Sequence, residues 1–176
     1  MIVQPIIFLD VDGVLNSQLH YESKQYTNYL NFGDKTSDIE YNKSQISEEK
    51  ILMLNGLCEE INAIVVISAS MRNQYSVEEL QEIFNYCGAT FTIIDKTGFT
   101  GFERGTEISQ WLKKNITLEK HGCYYFDFNK YVIIDDDSDM LLTQQYNFFQ
   151  TDTYIGLTPT ICYKIKRFIT NKTFDN

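Results

Sequence analysis

The sequence predicts an α/β protein, a three-layer α/β/α sandwich around a mainly parallel five-stranded sheet, with a minimal cap or flap after the first strand. Three observations predict it. Short β-rich runs recur along the chain, several of them apolar on both faces, as strands covered by helices on either side require. Helix-like segments separate those runs in the order β-α-β-α-β-α-β-β-α. Right-handed crossovers turn such an order into a layered sandwich whose ligands gather at the C-terminal ends of the strands. Finally, two of the runs end in clustered aspartates, which places charge at that edge.

The predicted strands are Ile6 to Asp10, Ile64 to Ser68, Phe91 to Asp95, Tyr131 to Asp135 and Asn147 to Thr151. Between the first two, Ser47 is placed to cap a helix whose Ile51, Leu54, Leu57, Cys58 and Ile61 recur at helical spacing. Ser76 and Glu79 form a capping-box pattern, and Gly88 can end that helix in a left-handed conformation. A third helix should open near Gly105 and bury Ile108, Trp111 and Leu112. The last opens at Thr158, with Pro159 in its first turn, and buries Ile161, Ile165 and Phe168. Residues 17–46 break the rhythm. They are polar yet carry Tyr21, Tyr26, Tyr29, Phe32 and Tyr41, and a long insertion after the first strand should sit above its C-terminal end as a flap.

With 176 residues and no linker or repeat, one domain over 1–176 is expected. The chain is 43% hydrophobic and 22% charged, near the globular averages, so disordered and fibrous classes are excluded. Its 24 acidic and 15 basic side chains leave a net charge of −9, which disfavours strong non-specific nucleic-acid binding. The longest apolar run, Ala63 to Ala69, is far short of a membrane span, and the N-terminus lacks a basic secretory leader. A cytoplasmic location is the expectation. Cys58, Cys87, Cys123 and Cys162 are too scattered for a zinc site and suit buried thiols.

Chemistry concentrates at the strand ends. Asp10-Val11-Asp12-Gly13 puts two carboxylates at a glycine turn, and such a pair is strained unless a cation joins it. Oxygen-only ligands suit Mg²⁺, although two turn-forming aspartates or part of a calcium loop would read alike. Asp135-Asp136-Asp137 repeats the pattern after the fourth run, where burial would be costly without a metal or a basic partner. Ser68 ends the second run and could hydrogen-bond a phosphoryl oxygen. Arg104 lies at a helix start, where a guanidinium and exposed N–H groups could both face an anion.

Taken in order, Asp10-Val11-Asp12-Gly13-Val14, Ser68, a basic residue and Asp135-Asp136 resemble the haloacid dehalogenase-like (HAD) phosphohydrolases. More narrowly, Ile67-Ser68-Ala69-Ser70-Met71-Arg72, Arg104-Gly105-Thr106-Glu107-Ile108 and Ile134-Asp135-Asp136-Asp137-Ser138-Asp139-Met140 resemble the small HAD domains associated with RNA-repair systems. The resemblance implies a HAD-like Rossmannoid fold and two-step phosphoryl transfer. Asp10 would be the nucleophile and Asp12 the general acid and then base. Mg²⁺ would be held by Asp10, the backbone carbonyl of Asp12 and Asp135, with Asp136 the alternative. Ser68 and Arg104 would bind the phosphoryl oxygens, with Lys96 and Lys113 as competitors for the basic position. Gly13, Ala69 and Arg72, beside the first two motifs, are the implied substrate contacts, and Asp139 a supporting partner of the acidic cluster.

An acid at Asp12 favours phosphatases over dehalogenases and ion pumps within the superfamily. The implied substrate is a phosphomonoester, a nucleotide or a phosphorylated nucleic-acid end, since a single terminal phosphate reconciles the RNA-repair resemblance with the acidic charge. Small metabolites or phosphoproteins would use the same residues, and an inactive binding module is the rival from another class. The aromatic residues of the flap either stack on a base or pack the flap itself.

Overall fold

The computed structural model describes residues 4–32, 41, 44–119 and 130–171. Five parallel strands form one sheet in the order β3-β2-β1-β4-β5: β1 Ile6–Leu9, β2 Ile64–Ile67, β3 Ile93–Lys96, β4 Tyr131–Asp135 and β5 Phe148–Gln150. The central strand pairs in register on both sides, Leu9 opposite Ile67 and opposite Ile134. Three of the strand tips therefore end level with one another.

Every residue of β1, β2 and β4 is buried, because alternate side chains feed two separate cores. Ile7, Leu9, Val65, Ile67, Val132 and Ile134 face one layer. Into it pack α3 (Glu48–Ile61), α4 (Val77–Tyr86) and α6 (Pro159–Asn171) through Leu54, Phe84 and Ile165 among others. Ile6, Phe8, Val66 and Ile133 face the opposite layer, where α5 (Arg104–Glu119) contributes Ile108 and Trp111. The rings of Phe8 and Trp111 meet edge to face at 5.3 Å, and Trp111 Nε1 donates to Asp95 at 2.7 Å. A buried indole thus keeps its polar handle paired.

Local signals set the helix ends. Ser76 and Glu79 exchange both capping-box hydrogen bonds at α4, and Thr158 Oγ1 accepts from Ile161 N at α6. Ser47 stands at the cap of α3, but its hydroxyl makes no cap bond; Glu48 and Glu49 in the first turn supply the favourable charge instead. At β3 the strand starts two residues later than the sequence suggests. Its register with β2 shifts between Val65 and Val66, while Phe91 turns into the core against Phe84.

The insertion after β1 contains α1 (Gln18–Tyr21) and α2 (Lys24–Phe32). His20, Tyr21 and Tyr26 pack on one another, with ring centroids 5.0 to 5.7 Å apart. His20 Nε2 also meets the Ser44 carbonyl at 2.9 Å, tying the two ends of the insertion together. Much of this segment, 33–40 and 42–43, and Cys123 lie outside the described residues. Cys58 and Cys87 are buried and Cys162 half-buried, all three as free thiols. No helix among the described residues is long and apolar enough to cross a membrane.

Candidate active site

Asp10 and Ser68 each lie one residue beyond a strand, yet their backbones continue the ladder. Asp10 N donates to Ile134 O at 3.0 Å and Ser68 N to Leu9 O at 2.9 Å. Sheet pairing therefore brings the ends of β1, β2 and β4 together without help from the loops. Asp10, Asp135 and Asp136 each offer a carboxylate oxygen within 4.8 Å of the others. Two of these acids are almost wholly buried.

Close approach of the two acidic turns depends on Gly13. It sits at φ +68°, and a Cβ there would lie 2.2 Å from Asp136 Oδ2, so no other residue fits without displacing that carboxylate. Thr153 Oγ1 donates to the same Asp136 oxygen at 2.7 Å, Gln150 Nε2 to the Asp136 carbonyl at 2.8 Å, and Thr151 Oγ1 to the Gly13 carbonyl at 2.8 Å. The loop after β5 thus clamps both turns.

Burial pushes the Asp10 carboxyl up to about 6, with Arg104 opposing and Asp12 and Asp136 adding to the rise. The Asp135 carboxyl is pushed to about 7, again chiefly by burial and then by Asp10, with Arg104 and the Asp137 N–H pulling the other way. Like charges held together in a dry site keep protons or gain a cation. Asp135 Oδ2 is buried and makes no hydrogen bond. Together with the oxygens of Asp10 and Asp136 it makes an all-oxygen donor set, whose chemistry fits a hard cation such as Mg²⁺.

Arg104 opens α5 because Asp139 Oδ2 accepts from its backbone N at 2.9 Å. Its guanidinium then reaches across the sheet edge, with Nη1 3.1 Å from Asp10 Oδ1 and Nε 3.6 Å from Asp135 Oδ2. These are ion pairs without hydrogen-bond alignment, since Nη1 makes no hydrogen bond. The two acids hold the guanidinium's pKa up against the effect of burial. Gly105 allows the helix to start here. A Cβ on it would come within 2.5 Å of Leu141 N and Gln144 Oε1.

Asp12 is exposed, and Asn16 Nδ2 donates to its Oδ1 at 2.8 Å while Asn16 Oδ1 accepts from Gly13 N. Its carboxylate stands outside the three-acid cluster, turned toward solvent. Tyr21 of the insertion senses it; burial first, and then the charge of Asp12, push that phenol up to about 12. Ser68 is fully buried, and its Oγ has no partner. Ala69 lines a cleft of about 180 Å³ together with Asp12 and Asn16.

The structure does not bring Arg72 to the acids. Its guanidinium is buried, donates to the Ser68 carbonyl and is ion-paired with Glu107. Glu107 in turn accepts from Thr100 N at 2.8 Å. Of the other cations considered, Lys96 donates to the carbonyls of Arg72 and Tyr75, and Lys113 is exposed along α5. Sequence reasoning missed Glu107, Asn16 and Thr153. Asn16 follows Asp12 by one helical turn's spacing, a usable signal, whereas only the folded sheet places Thr153 near Asp136.

The family model for the HAD domain in Swiss Army Knife RNA repair proteins matches residues 6–161. The chain belongs to that family. No curated protein and no solved structure matches it. As a HAD domain it stands in a family of hydrolase type and in an RNA-repair context, and its five-stranded parallel sheet flanked by helices is the HAD-like sandwich.

Proposed function

We propose that this HAD domain is a Mg²⁺-dependent phosphomonoesterase that works through an aspartyl-phosphate on Asp10, with nucleotides or phosphorylated nucleic-acid ends as substrates. One observation carries the reading: Asp10, at the tip of the central strand, belongs to the three-acid cluster and makes the shorter of the two ion pairs with Arg104, 3.1 Å against 3.6 Å for Asp135. It is a carboxylate set between a cation site and an anion site.

In the first step an Asp10 oxygen attacks phosphorus, and the bond from phosphorus to the leaving oxygen breaks as Asp12 delivers a proton to that oxygen. In the second, Asp12 takes a proton from water, whose oxygen attacks phosphorus and releases the Asp10 carboxylate and inorganic phosphate. Arg104 and the Ser68 hydroxyl hold the phosphoryl oxygens, where charge and fixed dipoles act in a dry site. Asp10, Asp135, Asp136 and the Asp12 carbonyl would hold Mg²⁺, which supplies positive charge against the phosphoryl group and keeps the acids ionised. The described part of the insertion, residues 17–32, 41 and 44–46, serves as the flap over this site within one domain, and the cytoplasm is its place of work. Arg72, tied to Glu107, supports Ser68 rather than touching substrate.

The test is phosphate release from aryl phosphates, mononucleotides and 3′- or 5′-phosphorylated oligonucleotides. Magnesium-dependent turnover that vanishes in Asp10→Asn is the expected result. Folded protein without turnover on any of them would make the chain a binding module.

A further inference from the structure

The phosphoryl site accounts for one side of Asp12; the other side opens into a cleft of about 180 Å³ bounded by Tyr41 and Gln45 from the insertion and by Gln74 and Tyr75 from the segment after β2. Resting on the phosphatase reading above, we infer that this cleft is the leaving-group subsite and that it takes one uncharged nucleoside, the one esterified to the phosphate. Two properties lead there. First, Asp12 lines the cleft, so a leaving oxygen protonated by Asp12 must carry its substituent into this space. Second, the walls suit a flat, neutral, hydrogen-bonding ring. Two tyrosines contribute aromatic surface, while Gln45 and Gln74 bring amides that can both donate and accept.

Among the described residues, the lining includes no lysine or arginine. Lys96, which passes nearby, spends its ammonium on the carbonyls of Arg72 and Tyr75. With Asp12 as the one charged residue among the described residues of the lining, a leaving group bearing its own phosphate gains nothing from them. The cleft is also smaller than the ~300 Å³ at which drug-sized pockets begin, which limits it to one ring system instead of a run of bases. The subsite therefore reads the terminal nucleoside and leaves the rest of any strand in solvent. This supplies a local reason for a net acidic domain to act on an RNA end.

The experiment compares kcat/KM for a nucleoside monophosphate, ribose 5-phosphate and a nucleoside 3′,5′-bisphosphate in magnesium, for wild type and for Tyr41→Ala and Gln74→Ala. Both substituted side chains are exposed, so the fold tolerates their loss. The nucleoside monophosphate should exceed ribose 5-phosphate by about tenfold or more, as stacking on one base provides. Each variant should shrink that ratio through KM, and the second phosphate of the bisphosphate should bring no gain. Equal kcat/KM for the nucleotide and the bare sugar phosphate overturns the subsite while sparing the phosphatase reading. So does a ratio that neither variant changes. No turnover of any substrate by folded protein overturns the phosphatase reading and the subsite with it.

Discussion

Two arginines leave neighbouring loops at the same edge of the sheet, and the structure puts them to opposite uses. Arg72, on the short turn after β2, is matched by a dedicated counterion; it and Glu107 are 5% and 2% exposed, and the pair braces the Ser68 carbonyl and the loop at Thr100. Arg104, at the start of α5, faces Asp10 and Asp135 and remains 17% exposed. Burial lowers the pKa of Arg72 although Glu107 resists, while the two acids raise that of Arg104 despite burial. Both guanidiniums stay charged at neutral pH. The difference teaches that what a buried cation does is set by whether its partner is spoken for. Glu107 is committed to Arg72 and to the loop at Thr100, whereas Asp10 and Asp135 belong to a cluster that a metal and a phosphate would share, freeing Arg104 for the incoming anion.

Substitutions can break this contrast, beginning with the acid that Arg104 holds. Asp10→Asn should abolish phosphate release while circular dichroism stays native, because no nucleophile remains. Arg104→Ala should lower kcat by about 10²- to 10³-fold, the usual cost of losing one group that stabilises the transition state. If Arg72→Ala gave the same kinetic loss with unchanged stability, the two arginines would be equivalent and the contrast would fail.

Stability measurements should show the reverse order. Arg72→Ala strands a buried Glu107 carboxylate, so urea unfolding should report a loss of about 3 to 5 kcal/mol. Replacing both partners by apolar residues should return much of it. Glu107→Gln is the milder version, since an amide can still accept from Thr100.

The acids of the Arg104 side make a further, pH-dependent prediction. Asp10 and Asp135 have folded pKa values of about 6 and about 7, above the ordinary 3.8. The native state thus binds more protons than the unfolded chain between those limits. Their contribution to stability is complete below pH 3.8 and is lost as the pH rises through 6 to 7. Metal-free protein should melt at progressively lower temperature across that window, and Mg²⁺ should raise the melting temperature more at pH 8 than at pH 5. A magnesium effect independent of pH would deny the acids their place as ligands. The smallest effect belongs to the exposed pair Lys166 and Glu60, 2.9 Å apart with side chains 46% and 53% exposed. Glu60→Gln should change stability by less than about 1 kcal/mol.

Much of this was legible in the residues. Apolar runs on both faces marked β1, β2 and β4, and the capping box at Ser76 marked α4, because burial and helix-end hydrogen bonding act over a few neighbouring residues. The acidic strand ends pointed to one site for the same reason, since parallel pairing alone must bring strand tips to a common edge. Other features depended on residues far apart in the chain. The helix start and the resemblance singled out Arg104 for the phosphoryl oxygens and Arg72 as a substrate contact, but a buried charge reads alike in sequence whatever its partner, so the pairing of Arg72 with Glu107 was not legible. Asp139 looked like an ornament of the acidic turn, yet its carboxylate caps α5, an element that precedes it by more than thirty residues.

The sequence by itself determined the layered sheet, the order of its elements and the edge at which the carboxylates meet. Tertiary structure alone decided that Arg72 is tied to Glu107, that Gly13 admits Asp136, and that a cleft adjoins Asp12. The physical reason is range: periodicity and capping are local, whereas ion pairing, desolvation and close packing belong to groups that only the completed fold brings within a few ångströms.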